Sequence, residues 1–299
     1  MVKNNKYKIV VILGPNASGK SDLGVEIAKN IGGEIVSADS RQVYKGMDIG
    51  SGKITRKEMK GVPHYLLDVI SPKKDFNVSH FKKLAERKID EITKRGKIPM
   101  IVGGTGFWID AVVYDYNLPD VGPDKKLRAR LEKLGATELF KRLKKSDPAR
   151  AKDIDKNNKR RLVRALEIVL LSKKPVPMLK KEPVYDTLFI GIKRSKEDSE
   201  SRIYKRLIVR LEEGMIDEIK KLHKSGVTWR RLDDFGLEYR FISRYLRKQI
   251  NYDEMVMQLF AAIKKYRKHQ LTWFKRNKKI HWVADKVQAQ KLVENFIKK

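Results

Sequence analysis

The segment GPNASGKS, residues 14–21, is the first stretch whose residue types and spacing suit a chemical task. It matches the phosphate-loop pattern G-x-x-x-x-G-K-[ST] at every fixed position. Glycines in such a loop let backbone N–H groups surround phosphate oxygens, and the following helix adds the positive end of its dipole. Lys20 supplies a cation for the terminal phosphate, and the Ser21 hydroxyl is a ligand for Mg²⁺. We therefore expect a phosphate site formed by Gly14, Pro15, Asn16, Ala17, Ser18, Gly19, Lys20 and Ser21.

Asp39 ends a second apolar run, IVSAD, and three interpretations of this acid stay open. In the first, it holds Mg²⁺ through water, as the acid of mononucleotide-binding proteins does. In the second, it is a general base aimed into a cleft. In the third, it caps the backbone N–H groups of the residues that follow, a task for which aspartate is common.

Two further features suit a phosphate or a reacting group. GGTG, residues 103–106, allows close backbone approach and offers the Thr105 hydroxyl as a donor, although glycines chosen for tight packing are an alternative. Arg202 and Arg206 are four residues apart and share a helix face. Their guanidinium groups suit a diphosphate, and the alternative is a solvated basic face.

The elements that must position these residues alternate between strands and helices. Strand-like runs occupy 8–14, 34–40 and 98–106, and a later one occupies 187–195. The first helix places Leu23, Ile27 and Ile31 on one face, and a second, over 81–97, places Leu84, Ile89 and Ile92 inward. This alternation predicts a parallel sheet covered by helices. Since functional groups gather at the carboxyl ends of such strands, the segments 14–21, 39–42 and 103–105 should face one crevice.

The composition changes near residue 119. Residues 120–183 are helical in pattern and carry 20 Lys or Arg against 9 Asp or Glu, with prolines towards both ends. We therefore predict a helical insertion domain, 119–183, within a core formed by 1–118 and 184–299. The last third is helical again, and 264–279 holds eight Lys or Arg, no acid and three interleaved aromatic residues.

The whole chain is strongly basic. Its 299 residues include 68 Lys or Arg and 37 Asp or Glu, a formal net charge of +31. Such an excess indicates a polyanionic partner, nucleic acid first, although an AT-rich genome also raises the lysine content.

The absence of cysteine excludes disulfides and thiol nucleophiles. No signal-peptide pattern and no apolar window of membrane length occur, so we expect a cytoplasmic protein without a membrane partner. We also expect it to act as a monomer.

Seven segments, in order, resemble the tRNA dimethylallyltransferases, also called tRNA isopentenyltransferases. They are GPNASGKS, VSADSRQVYKGMDIGSGK, GVPHYLLDVISP, VGGTGFWIDAVV, KRRLVRALE, RIYKRLIVRLEEGM and KYRKHQLTWF. The resemblance implies an α/β fold with a parallel sheet of the P-loop nucleoside-triphosphate-hydrolase type, a helical insertion domain and a helical C-terminal region. It also implies transfer of a dimethylallyl group from dimethylallyl diphosphate to N6 of the adenosine on the 3′ side of the tRNA anticodon, assisted by Mg²⁺.

The resemblance assigns roles to individual residues. Asp39 matches the acid that takes a proton from the adenine amine, and Thr105 matches a threonine near the reacting centre. The phosphate loop, Arg202 and Arg206 match the diphosphate site, with Ser21 on the metal. Contacts to the anticodon stem-loop of tRNA are implied for Asp39, Ser40, Arg41, Gln42, Arg160, Arg161, Leu162, Val163, Arg164, Arg240, Lys268, His269 and Gln270.

Two positions depart from the family pattern. Asn16 stands where the loop usually has threonine, and FGLEYRF, 235–241, stands where a GY[RK] stretch is usual. Three other functions stay open: a small-molecule kinase, an adenylate isopentenyltransferase acting on free nucleotides, and a non-catalytic RNA-binding protein. The kinase would need a γ-phosphate site. The free-nucleotide enzyme would not need the basic segments, and the RNA-binding protein would leave Lys20, Asp39 and Thr105 without a task.

Overall fold

The computed structural model describes residues 7–119, 121–122, 124–179 and 182–298. The ends of the predicted core, residues 1 and 299, lie outside them. The chain divides into two compact units. The larger unit comprises the chain up to Asp115 and from Pro183 onwards, and the smaller unit is Tyr116–Glu182. The predicted insertion had the bounds 119–183.

The larger unit is built on a parallel six-stranded sheet with the order β3-β2-β4-β1-β5-β6. The strands are β1 (Lys8–Leu13), β2 (Glu34–Ala38), β3 (His64–Tyr65), β4 (Pro99–Gly103), β5 (Asp186–Ile192) and β6 (Ile280–Val283). The predicted α/β fold and the four predicted strands are confirmed. The sequence patterns missed β3, which has two residues, and β6, four residues inside a segment interpreted as wholly helical.

The helices surround this sheet and form the smaller unit. In the larger unit they are α1 (Lys20–Ile31), α2 (Arg56–Met59), α3 (Val78–Lys94), α4 (Gly106–Val113), α9 (Lys196–Glu212), α10 (Met215–Lys224), α11 (Trp229–Phe235), α12 (Leu237–Leu246), α13 (Tyr252–Phe274) and α14 (Lys286–Lys298). In the smaller unit they are α5 (Lys125–Glu132), α6 (Ala136–Ser146), α7 (Pro148–Asp153) and α8 (Lys159–Ser172). In the described ranges, none of them is long and apolar enough to cross a membrane.

Burial of the strands explains their β-branched sequences. Ile9, Val10, Val11 and Ile12 are fully buried because helices cover both faces of the sheet. On α1, Leu23 and Ile27 are buried and Ile31 packs at the edge of the same cluster. On α3, Ile89 and Ile92 are buried as predicted. Leu84, however, is only half-buried, because Phe81 and Ala85 take the places against the sheet.

The smaller unit has its own apolar core. Leucines from α5, α6 and α8 form it, with Leu139, Leu143 and Leu162 completely buried. The buried Glu167 accepts two hydrogen bonds from Arg128, at 2.9 and 2.5 Å, which satisfies a carboxylate removed from water. The smaller unit therefore has packing partners of its own.

The same core corrects part of the predicted RNA contact set. Leu162 and Val163 are 0% and 3% exposed, so their side chains lie in the core of the insertion and not on a surface that RNA contacts. Arg164 donates a hydrogen bond to the Val121 carbonyl at 2.6 Å and is only half-exposed. Arg160 and Arg161, one helical turn earlier, are exposed.

Candidate active site

The phosphate loop joins β1 to α1 and holds an unusual backbone shape. Ala17 has a φ of 59° and Gly19 a φ of 91°, both in the left-handed region. That region is unfavourable for alanine, so the loop must be held there by its surroundings. One support is Arg194, whose Nε donates to the Ser18 carbonyl at 2.7 Å. The loop is thus fixed from outside, which leaves its inner side for a ligand.

Lys20 lies at the loop in a strongly basic environment. Burial lowers the pKa of its ammonium to about 8; the negative charge of Asp39 opposes this change, and the positive charges of Arg206 and Arg210 add to it. Several cations therefore converge beside one carboxylate. A bound polyphosphate would lower the repulsion between them, which is the electrostatic condition of an anion site.

Asp39 follows β2, and one of its carboxylate oxygens has a structural task. Oδ1 accepts hydrogen bonds from the backbone N–H groups of Arg41 at 2.8 Å and Gln42 at 3.4 Å. The capping interpretation is therefore correct for this oxygen, which stabilises a turn and not a helix. Within the described ranges Oδ2 has no hydrogen-bond donor, so the same side chain can also accept a proton.

Thr105 connects the ends of β2 and β4. Its Oγ1 accepts a hydrogen bond from the Ser40 backbone N–H at 3.1 Å, and its own N–H donates to the Ala38 carbonyl at 3.1 Å. The hydroxyl therefore acts as an acceptor, and its proton is left to donate elsewhere. The structure brings Asp39 and Thr105 together, as the position of both at strand ends predicts.

The three glycines of GGTG serve close packing. A methyl group added to Gly103 would overlap the Ala38 backbone, and one added to Gly106 would overlap the Trp273 ring. One added to Gly104 would lie 2.7 Å from Nε2 of Gln270. The packing interpretation of these glycines is therefore correct, and it leaves Thr105 as the polar side chain of the motif.

The two predicted arginines of α9 differ in their surroundings. Arg206 is one of the two arginines whose charge acts on Lys20. Arg202 forms an ion pair with Asp198, from Nε to Oδ1 at 3.0 Å, and Asp198 also pairs with Arg194 at 3.1 Å. Arg202 and Arg194 line a pocket of about 400 Å³ that also reaches Gly19 of the phosphate loop.

Arg210 is a site residue that the sequence interpretation missed. It continues the four-residue spacing of Arg202 and Arg206 and is also among the cations that act on Lys20. Its guanidinium lies on Gly52, where any side chain would overlap it, and 3.7 Å from the Glu238 carboxylate. Continued helical spacing is the signal that would have indicated Arg210; nothing local indicates Gly52.

The segment that follows Asp39 is held by side chains from distant elements. Glu218 on α10 accepts hydrogen bonds from the backbone N–H groups of three successive residues, 48–50, at 2.6 to 3.1 Å. The Gln42 amide joins the Ser37 hydroxyl to the Gly52 carbonyl, at 3.2 Å each. Arg41 donates to the Phe235 carbonyl at 2.7 Å. The contacts of Arg41 and Gln42 hold the turn that orients Asp39, and Glu218 holds the segment that follows it.

The predicted RNA contacts of the last third are placed differently from one another. Lys268 and His269 are exposed on α13, and Arg240 is half-exposed with its Nε on the Asp233 carbonyl at 3.0 Å. Gln270 is 6% exposed and bonds to Asn16 and Gly104. This corrects the prediction for Gln270, since its side chain faces the phosphate loop and not the protein surface.

Tyr266 of α13, one of the interleaved aromatic residues, is a second site residue that was not predicted as one. Burial, with the negative charge of Asp39 as the next cause, raises the pKa of its hydroxyl to about 12. The phenol therefore stays protonated at neutral pH. Tyr266, Gln270 and Trp273 follow the spacing i, i+4, i+7, so the helical period would have placed them on one face.

Comparisons with known proteins decide the family. A family model described as IPP transferase matches residues 42–277. The tRNA dimethylallyltransferase 1 of Geotalea uraniireducens is 42% identical over 281 residues, covering 92% of each chain. The chain belongs to the IPP transferase family. The tRNA dimethylallyltransferase of Bacillus pumilus resembles this IPP transferase at 39% identity over 290 residues, covering 94% of this chain and 91% of the relative.

Solved structures agree with this assignment. The full-length tRNA isopentenylpyrophosphate transferase of Bacillus halodurans superposes on this IPP transferase with a TM-score of 0.73 at 38% identity, covering 98% of this chain and 96% of its own. A eukaryotic dimethylallyltransferase acting on tRNA gives a TM-score of 0.76 at 24% identity, covering 97% of this chain and 77% of its own. At that identity the second likeness shows the fold alone.

Proposed function

We propose that this IPP transferase transfers a dimethylallyl group from dimethylallyl diphosphate to N6 of the adenosine on the 3′ side of the tRNA anticodon, releasing diphosphate. The observation that carries the proposal is the meeting of Lys20, Asp39 and Thr105 at neighbouring strand ends. The names of the relatives support the same reaction. A phosphate loop beside a carboxylate, in a chain of charge +31, suits an anionic leaving group and an RNA acceptor.

The phosphate loop binds the diphosphate that leaves. When the bond between the dimethylallyl carbon and the diphosphate oxygen breaks, the electron pair stays on that oxygen. Loop N–H groups, the α1 dipole, Lys20 and Arg206 stabilise the added negative charge. Arg202 contributes less to this charge stabilisation in the proposal, because it already pairs with Asp198.

Asp39 accepts the proton that the reaction releases. The N6 lone pair of adenine is delocalised into the ring, so the amine must be positioned for attack. As the new N–C bond forms, one N6 proton passes to Oδ2 of Asp39 while Oδ1 stays on the turn. Thr105 holds the turn through the Ser40 N–H and keeps a hydroxyl proton for the substrates.

Mg²⁺ is the metal that we assign to the reaction. In the described ranges no three His, Cys, Asp or Glu side chains are grouped as a metal site. The Ser21 hydroxyl suits Mg²⁺, which usually binds through substrate phosphates, waters and one or two protein oxygens. When bound, the metal neutralises charge on the diphosphate.

The acceptor base must leave the anticodon stack to reach Asp39. RNA-modifying enzymes achieve this by splaying the base into a pocket, with cations on the phosphates. Exposed basic residues of the two basic segments, such as Arg160, Arg161 and Lys268, supply those cations. No comparison favours the kinase, the free-nucleotide enzyme or the non-catalytic RNA-binding protein.

A label-transfer experiment tests the proposal. The protein is incubated with Mg²⁺, tRNA and dimethylallyl diphosphate labelled in the prenyl group, with AMP replacing tRNA in a parallel reaction. We expect label in tRNA and none in AMP. Label in AMP alone supports the free-nucleotide enzyme instead, and phosphoryl transfer from ATP without any prenyl transfer supports a kinase.

A further inference from the structure

Gln270 is a buried amide that bridges two parts of the active site. It projects from α13 and is 6% exposed. Its Oε1 accepts a hydrogen bond from the Asn16 backbone N–H at 3.0 Å, and its Nε2 donates to the Gly104 carbonyl at 3.0 Å. One side chain thus joins the phosphate loop after β1 to the glycine turn after β4.

The bridge has only one consistent orientation. The Asn16 N–H needs an acceptor and the Gly104 carbonyl needs a donor, so the amide oxygen must face the first and the amide nitrogen the second. A carboxylate would lack the donor for Gly104, and an apolar side chain would leave the buried Gly104 carbonyl and the half-buried Asn16 N–H unpaired. Glutamine is therefore required by both partners.

The turn that Gln270 bridges packs against the phosphate loop. A methyl group on Gly104 would be 3.6 Å from Cε of Lys20 and 3.4 Å from the Gly14 carbonyl, so the bridged turn packs directly on the loop and its lysine. The Asn16 side chain adds a longer contact, with Oδ1 at 3.5 Å from Nε2 of Gln270. Asn16 is also the loop residue that departs from the family pattern.

We infer that Gln270 is a positioning residue for the diphosphate site, which holds the Asn16 end of the phosphate loop against the Gly104 turn. This inference rests on the proposed function of the loop. With the bridge intact, the loop N–H groups keep the geometry that surrounds phosphate before any ligand arrives. The role differs from a direct RNA contact, which the exposed Lys268 and His269 on the same helix can make.

Binding measurements on matched variants test the inference. Gln270→Met keeps the length of the side chain without its hydrogen bonds, and Gln270→Asn keeps the amide but is one methylene too short to reach both partners. Lys268→Gln is the control, since it alters an exposed residue of the same helix. Affinity for magnesium pyrophosphate is measured by calorimetry, tRNA affinity by filter binding, and KM for dimethylallyl diphosphate and kcat by label transfer.

We expect both Gln270 variants to bind pyrophosphate about tenfold more weakly, the effect of losing a buried hydrogen-bond pair. KM for dimethylallyl diphosphate should rise by a similar factor, with tRNA affinity unchanged. Lys268→Gln should show the reverse pattern: weaker tRNA binding and unchanged pyrophosphate affinity. If Gln270→Met does not fold, the shortened Gln270→Asn carries the test.

Three results would overturn the inference. Pyrophosphate affinity equal to that of the unaltered protein would show that the bridge does not position the loop. Loss of tRNA affinity alone would make Gln270 an RNA contact. If the unaltered protein itself does not bind pyrophosphate, the diphosphate site fails together with the inference, and this result differs from the first two.

Discussion

The strand-end site and the RNA-side residues are built in opposite ways. The strand-end site consists of Lys20, Asp39 and Thr105. The RNA-side residues are Arg160, Arg161, Lys268 and His269. At the strand-end site, hydrogen bonds orient the side chains: the Arg41 N–H donates to Asp39, and the Ser40 N–H donates to Thr105. The RNA-side residues are exposed. Reaction chemistry depends on atomic placement, whereas attraction to RNA phosphates depends mainly on the number of charges.

The two groups of residues should respond differently to substitution. A change at the strand-end site should alter turnover or diphosphate affinity and leave tRNA affinity unaltered. A change among the RNA-side residues should weaken tRNA binding in a salt-dependent way and leave the chemical step unaltered.

Asp39→Asn should have the largest effect. The amide oxygen can still accept the Arg41 N–H, so the turn should persist, but asparagine cannot take the N6 proton. We expect single-turnover transfer on prebound tRNA to fall by about 10² to 10⁴. Filter binding should show tRNA affinity within about twofold of the unaltered protein. Equal loss of turnover and of tRNA affinity would contradict the general-base role.

Gly103→Ala should affect stability more than Gly104→Ala. The new methyl group at residue 103 meets the Ala38 backbone, which cannot move without disturbing the sheet, whereas at residue 104 it meets the movable end of Gln270. We expect the free energy of unfolding to fall by about 2 to 3 kcal/mol for Gly103→Ala. For Gly104→Ala the loss should be smaller and accompanied by weaker pyrophosphate binding. Denaturant titration and calorimetry measure both; identical losses of stability would contradict the packing argument.

Pyrophosphate affinity should fall as the pH rises through about 8. The protonated ammonium of Lys20 attracts the ligand, and burial lowers its pKa to about 8 in the free protein. Deprotonation above this pH therefore removes the attraction, by about tenfold between pH 7 and pH 9. Lys20→Met is the control. With Lys20 removed, any remaining pH dependence of binding comes from titration of pyrophosphate itself. The same pH profile for both proteins would show that Lys20 does not bind the diphosphate.

Single changes among the RNA-side residues should have the smallest effects. We expect the logarithm of tRNA affinity to fall linearly with the logarithm of salt concentration, and Lys268→Ala or Arg160→Ala to lower that slope by about 0.7 to 0.9. Each change should weaken binding only a few-fold at moderate salt. Leu162→Ala offers the contrast: it should destabilise the insertion, since Leu162 is buried, without altering the salt slope. A flat salt response would mean that the basic composition does not serve RNA binding.

Local patterns predicted the parts of the site that directly follow a strand. The phosphate loop, Asp39 and Thr105 each follow an apolar strand, and the parallel sheet then brings them to one edge. Gln270 accepts a hydrogen bond from Asn16, which is 254 residues away in the chain, so no local sequence pattern could predict this contact. The resemblance covers residues 160–164 as one continuous segment, but α8 turns one face into the core, which buries Leu162 and Val163 and leaves Arg160 and Arg161 exposed.

Nucleoside mass spectrometry of tRNA tests the central claim most directly. Unmodified tRNA is treated with the protein, Mg²⁺ and dimethylallyl diphosphate, digested to nucleosides, and compared with a reaction containing the Asp39→Asn protein. We expect N6-dimethylallyladenosine from the position on the 3′ side of the anticodon with the unaltered protein, and little or none with the variant. Absence of this nucleoside with the unaltered protein, under conditions in which it binds both substrates, would contradict the proposed function.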